Sequence, residues 1–377
     1  MSDDNRARRY ARLQFLLAAA SLGLTAAFLL VALAGGGART LSDRVAEATS
    51  IPALQVALVA AVLGVLYAVL AFPLAWVQGY WLPRRYGLLH QRLGGWLRDR
   101  AKAGAIGGIL TLGGVEVIYA LLRTTAWWWV AAAAIFFVVY VLMAALFPVW
   151  LLPLFYRLTP LDDVPLRERL LGLADRARVP VVGVWVADQS RRSRTANAAL
   201  TGLGRTRRII LFDTLVREFP PDEVESVLAH ELGHHVHGDV RRGLLAQGLF
   251  TLVTFALADL ALRAGVSWWG LADVADPAGL PWLSLVLVGV GLLAAPAANG
   301  LSRWMERQAD DFALAITEDP RAFIAAMERL ATLNLAERKP SRLKEIVFYS
   351  HPAIERRIAR ARDREGARSA RSAIGVT

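Results

Sequence analysis

The sequence predicts a mainly α-helical, multi-span membrane protein with about six spans and a small α/β insert on the cytoplasmic side. Three observations predict it. Of the 377 residues, 55% are hydrophobic, against about 45–50% in an ordinary soluble domain. The apolar residues gather into six stretches long enough to cross a bilayer, which takes about 20 helical residues. One window, residues 156–242, breaks this pattern with strand-length apolar runs and amphipathic spacing.

The spans run over 14–34, 53–82, 103–123, 127–155, 243–263 and 279–300. The apolar core of the first, Phe15 to Ala34, exceeds the about 7–15 residues of a signal-peptide core and reads as an uncleaved anchor. The second is overlong and contains Pro73, so it is expected to tilt, kink or end in an interfacial segment. Glu116, inside the third span, either lines a water-filled chamber or pairs with an arginine, because a charge at bilayer depth is costly. Asp259 lies near the end of the fifth span, close to the interface, and needs no special role.

Charge sets the orientation. The net charge is +11, and of 43 basic residues only Lys102, Lys339 and Lys344 are lysines. The basic residues flank the spans, so they read as topology signals rather than as a nucleic-acid surface. Arg6, Arg8, Arg9 and Arg12 precede the first span and loop 83–102 is strongly basic, whereas 264–281 holds Asp273 and Asp276 and no basic residue. The positive-inside rule places both termini, loop 83–102 and region 156–242 in the cytoplasm. The arginine and alanine bias fits a GC-rich bacterial genome, and so a bacterial plasma membrane. The chain then divides into a four-span region 1–155, an insert 156–242, a two-span hairpin 243–300 and a C-terminal helical region 301–377. No repeat is visible, and the tail after Arg360 is expected to be a frayed, solvated end.

Within the insert, Leu166, Leu170, Leu173 and Ala177 have helical spacing, and Val181 to Ala187 and Arg208 to Phe212 have strand character. Between them lie Ser190 to Ala198, a short strand, and a turn at Gly202 and Gly204. Pro220, Pro221, Asp222 and Glu223 open a helix that Gly238 closes. That helix carries His230-Glu-Leu-Gly-His234, an HExxH pattern, and four of the chain's six histidines fall in residues 230–237. Residues four apart share a helix face, so His230 and His234 can offer imidazole nitrogens to one metal ion. Glu231, about 100° round the helix, is placed to take a proton from the attacking water.

A catalytic zinc site needs a third protein ligand. The chain has no cysteine, so this ligand must be His or a carboxylate. An HExxHxxGxxH pattern is excluded by His237 and Val240. Glu306 is the best candidate, because Glu306-Arg-Gln-Ala-Asp310 puts a second carboxylate one turn on, where Asp310 can hold the spare N–H of a ligating histidine. The hairpin formed by the fifth and sixth spans returns both segments to one membrane face.

Four motifs together resemble the type-1 CAAX prenyl protease family, integral-membrane zinc endopeptidases of the gluzincin class. They are Ser190 to Gly202, His230 to His234, Glu306 to Ala313, and Tyr349-Ser-His351-Pro352 followed by Arg357. Pro153 to Asp162 also resembles the family's entry to its catalytic domain. The resemblance implies one Zn2+ per chain and a peptide or protein substrate, lipidated or membrane-embedded. It implies that Asn197 and Ala198 lie on an edge strand that pairs with the substrate backbone. By the same resemblance, His351 and Arg357 face the tetrahedral intermediate. Without it, His351 is a structural histidine, Arg357 a surface arginine and Asn197 a turn residue. Departures from the family pattern are His235 in place of an aromatic, Ala199 and Thr201 in place of aromatics, and six spans rather than seven. Two alternatives remain: a quality-control protease for damaged or unassembled membrane proteins, and a non-hydrolytic zinc-binding scaffold or transporter.

Overall fold

Hydrophobic length dictates the frame. Among the described residues, six helices are long and apolar enough to cross a bilayer: Asp4–Ala34, Pro52–Arg85, Leu93–Thr124, Trp128–Leu146, Asp239–Trp269 and Pro277–Thr317. The structure is a computed structural model describing residues 3–146, 150, 152–202 and 207–373, with residue 3 and residues 367–373 described by backbone alone. Most of these helices outrun their apolar stretches. At 1.5 Å per residue the 41-residue sixth helix is about 60 Å long, roughly twice the hydrocarbon thickness. Its last turns therefore stand clear of the apolar stretch 279–300, and they carry Glu306 and Asp310.

Pro73 lies inside the second helix, which passes after Trp76 into a π-helical turn, Val77–Trp81, and then Leu82–Arg85. Proline lacks an N–H and crowds the preceding turn, so a locally widened helix is a natural way to continue. Val56, Tyr119, Trp128, Phe255 and Leu262 form the core between the spans. Asp259 accepts a hydrogen bond from Trp128 Nε1 at 2.7 Å and pairs with Arg263 at 2.8 Å, which is a structural role. Glu116 makes no ion pair among the described residues, and its Oε1 is buried without a hydrogen-bond partner.

The insert holds a four-stranded sheet: β1 (Leu158–Pro160), β2 (Val184–Ala187), β3 (Ala198–Thr201) and β4 (Arg208–Phe212), in the order β1-β2-β4-β3. Only β2 and β4 are parallel; β1 and β3 run antiparallel to their neighbours, and both are edges. The expected run 181–187 is shortened because Gly183 adopts φ 156° just before β2. β1 has too few residues, one of them proline, to show a period. Gly202 takes φ 96° after β3; Gly204 lies outside the described residues. The first helix of the insert, Val164–Arg176, is capped by Asp163, which accepts from Leu166 N at 3.0 Å, and it buries Leu166, Leu170 and Leu173.

Of the tail after Arg360, expected to be a frayed, solvated end, the described part is helical, and residues 374–377 lie outside the described residues. A helix runs Ile354–Ala373, tied down past Arg360 by Arg364 to Asp311 at 2.8 Å and Arg321 to Glu365 at 2.7 Å. Ile358 and Ala361 are buried in the same core as Leu228 and Phe323. Burial of Ile358 and Ala361 holds the first turns of this helix against the core.

Candidate metal centre

The helix Pro221–Val236 has proline at its first position and Asp222 and Glu223 in its first turn, where acids suit the helix dipole. Two buried acids fasten it to its neighbours. Glu225 is held by Arg169 at 2.5 Å and Arg176 at 2.8 Å, and Glu223 by Arg329 at 2.8 Å. The glycine of the HELGH pentapeptide is required by packing: a Cβ on Gly233 would lie 2.9 Å from Ala309 Cα. Through this close approach the histidine-bearing helix and the end of the sixth span lie side by side.

At that contact His230 Nε2 and His234 Nε2 stand 3.3 Å apart. Glu306 Oε2 lies 3.3 Å from His230 Nε2, and Glu306 Oε1 lies 3.5 Å from His234 Nε2. The three ligand atoms fall within 4.8 Å of one another. Each histidine is anchored through its other nitrogen: His230 Nδ1 is 2.9 Å from Asp310 Oδ1, and His234 Nδ1 is 2.8 Å from Asp239 Oδ2. A carboxylate on Nδ1 keeps the proton there and leaves the Nε2 lone pair facing the centre. Glu306 Oε2 is buried with no hydrogen-bond partner, a cost a cation between these groups would remove. Two imidazoles and one carboxylate, converging and oriented, fit a zinc-type ion.

Glu231 is half-buried next to these groups. Burial raises its carboxyl above the usual range, against the opposing pull of His230 and His234. His235, where the family pattern has an aromatic, has its pKa pushed down to about 4 by burial and by Arg207, so it is neutral at pH 7.

The loop after Phe348 brings His351 to the centre, with Nε2 3.1 Å from Glu306 Oε1. Arg303 donates to Glu345 O and Tyr349 O, and Glu345 accepts from Ala353 N, so this loop is pinned from both sides. Arg357 is turned onto Asp310: Nε donates to Oδ2 at 2.9 Å and Nη2 to Oδ1 at 2.6 Å, and Nη2 also lies 3.3 Å from His230 Nδ1. Two of its nitrogens are thus engaged by Asp310, while the residue also lines the cavity beside His351.

The edge strand β3 packs against the histidine-bearing helix. Ala198 is buried and Asn197, just before the strand, is exposed. Asn334 clamps the chain ahead of them through Ala196 N at 3.0 Å and Ala196 O at 3.3 Å. A cavity of about 740 Å³ reaches from His351 and Arg357 to Tyr10, Gln14 and Phe15 of the first span.

The model of peptidase family M48 matches residues 160–365. The chain belongs to peptidase family M48. A second model, the CAAX prenyl protease N-terminal region with five membrane helices, matches residues 2–157. The chain is 27% identical over 311 residues to the uncharacterized metalloprotease YhfN of Bacillus subtilis, covering 81% of this chain and 73% of that protein. It is 31% identical over 194 residues to CAAX prenyl protease 1 of Saccharomyces cerevisiae, covering 49% of this chain and 41% of the yeast protein. The chain thus spans about half the length of the curated CAAX prenyl proteases of yeast, Arabidopsis thaliana and rice that it matches. The crystal structure of S. mikatae Ste24p superposes with a TM-score of 0.83 at 25% identity, covering 95% of this chain and 89% of that one.

The family membership expected from the four motifs is borne out, and with it a membrane metallopeptidase of the M48 type. Where the family's N-terminal region has five membrane helices, the described part of residues 2–157 has four of spanning length. The helix Gly37–Ala48, with 12 residues, is too short to cross. One residue beside the centre escaped the sequence reading: Asp239, which lies 2.8 Å from His234 Nδ1. Its signal was present, an acid just after Gly238 in the first turn of the next helix, but only folding back over Gly238 aims it at His234.

Proposed function

We propose that this M48 protein is a zinc-dependent endopeptidase of the cytoplasmic membrane face, holding one Zn2+ through His230, His234 and Glu306. The convergence of His230 Nε2, His234 Nε2 and Glu306, each imidazole oriented by its own carboxylate, carries this reading. Zinc held there would supply Lewis acidity and make the attacking water more acidic. Glu231 takes the proton of the attacking water and later returns it to the leaving amine nitrogen, a role its raised carboxyl pKa suits. His351, exposed beside Glu306, donates a hydrogen bond to the developing oxyanion. Arg357 holds Asp310, and through it His230.

Asn197 and Ala198 begin the substrate-binding edge, where an extended peptide adds a strand to β3. By likeness to the CAAX prenyl proteases, the substrate is an extended segment beside an apolar or lipidated anchor. The second reading, quality control of membrane proteins, is favoured by the edge itself, because backbone pairing is tolerant of sequence. Matched prenylated and unprenylated CAAX-type peptides separate the two readings. A strong requirement for the lipid supports prenyl-protein processing, and indifference supports quality control. Cleavage of neither peptide, nor of an unlipidated membrane protein, with zinc bound and the fold intact, would point to a non-hydrolytic scaffold.

A further inference from the structure

A second cavity, of about 660 Å³, lies away from the metal centre, where the third span begins, the fourth ends and the insert docks. Its walls carry Arg92, Arg98, Lys102, Arg157, Arg191 and Arg192. The one acid lining it, Asp99, is already engaged by Arg192 and by Gln91, each at 2.5 Å. Arg92, Arg98 and Arg157 are exposed and make no ion pair or side-chain hydrogen bond among the described residues. Uncompensated cations converging on one cavity repel each other, and an anion of matching shape removes that penalty.

The aromatic and apolar residues around this cavity point to where the anion comes from. Beside it, Trp96 packs on Phe72 and Tyr80 with ring centroids 6.4 and 5.7 Å away. Tryptophan and tyrosine gather at the bilayer interface. Leu154, in the cavity wall, is 49% exposed, and Trp150, four residues before it, is 68% exposed, so apolar surface adjoins the cations. Cations in the cavity and exposed apolar side chains next to it in sequence match a phosphate headgroup with its acyl chains.

We propose that this cavity binds the phosphodiester headgroup of an anionic phospholipid. Arg92, Arg98 and Arg157 contact the phosphate oxygens, and Lys102 and Arg191 border it. Arg192 joins the headgroup to the protein framework. Its guanidinium pairs with Asp99 of the third span and lies 5.0 Å from the Tyr156 ring, while its backbone carbonyl accepts from His90 N at 2.8 Å. An occupied cavity therefore ties the membrane helices to the insert that carries β3. This inference stands apart from the catalytic reading, since no metal or substrate group is used.

The test uses the full-length protein, delipidated in detergent and returned to micelles of phosphatidylcholine with or without phosphatidylglycerol. Thermal unfolding and retained lipid in native mass spectrometry are the readouts. Phosphatidylglycerol should raise the unfolding midpoint and be retained. Arg98→Gln with Arg157→Gln should weaken retention by about tenfold or more, at roughly 1 kcal/mol per arginine. A charge-matched control, Arg44→Gln with Arg342→Gln at exposed positions outside the cavity, should retain lipid as the wild type does. Equal loss in the control, or no loss in the cavity variant, overturns the site. Inorganic phosphate that stabilises as much as phosphatidylglycerol overturns the lipid assignment in favour of a free anion.

Discussion

Arg357 grips Asp310 through two nitrogens, at 2.6 and 2.9 Å, and the same carboxylate lies 2.9 Å from His230 Nδ1. The arginine and the metal-binding histidine thus share one carboxylate, and we propose that Arg357 acts on the centre through it. Carboxylates that orient metal-bound histidines are typically worth about 10–100-fold in metal affinity or activity. Asp310→Ala should weaken zinc binding by that order, and Arg357→Ala should weaken it in the same direction while the fold is kept. Competitive titration with a zinc chelator measures both. Unchanged affinity in Arg357→Ala, with reduced turnover, would return the arginine to the oxyanion.

The ligands and the base should separate cleanly. His230→Ala, His234→Ala or Glu306→Ala should lower metal content and activity together, from one zinc per chain by elemental analysis. Glu231→Gln should stay folded and metallated yet lose nearly all turnover, because a base has gone and no ligand has. Full zinc occupancy in Glu306→Ala would send the search for a third ligand elsewhere.

His351 is solvent-exposed and 3.1 Å from a Glu306 oxygen, so its removal costs little packing. His351→Ala should reduce kcat by about 10²-fold or more with a much smaller change in KM, as loss of an oxyanion donor does. Steady-state kinetics on one peptide decides it. An effect confined to KM would make the residue a substrate contact.

Gly233→Ala probes the helix contact that assembles the centre. Alanine improves helix propensity by about 1 kcal/mol, but the new Cβ would meet Ala309 Cα at 2.9 Å. That clash is with backbone and cannot be relieved by a rotamer, so overpacking of about 1–3 kcal/mol should win. Thermal unfolding should show a lower midpoint, accompanied by weaker zinc binding as the sixth helix is pushed away.

Orientation is read out by cysteine labelling in this cysteine-free chain. Ala101→Cys and Ala272→Cys are both at exposed positions and should react from opposite membrane faces, Ala101→Cys from the cytoplasm. Labelling of both from one side would overturn the arrangement of spans.

By itself the sequence determined the features that repeat along one element. Six apolar stretches announced six membrane helices because the bilayer demands about 20 apolar residues wherever it is crossed. His230, Glu231 and His234 were legible because a helix of 3.6 residues per turn sets their spacing locally. Tertiary structure decided whatever joins distant segments. Glu306 lies far from His234 in sequence, and the hairpin of the fifth and sixth spans, closed at Gly233 and Ala309, brings it within 3.5 Å. The commitment of Arg357 to Asp310, the recruitment of Asp239 and the ordering of the tail as a helix depend on which side chains face each other across that packing. No local period encodes such pairings. They are set by packing that brings buried carboxylates such as Asp310 and Asp239 against the guanidinium and imidazole groups that offset their burial.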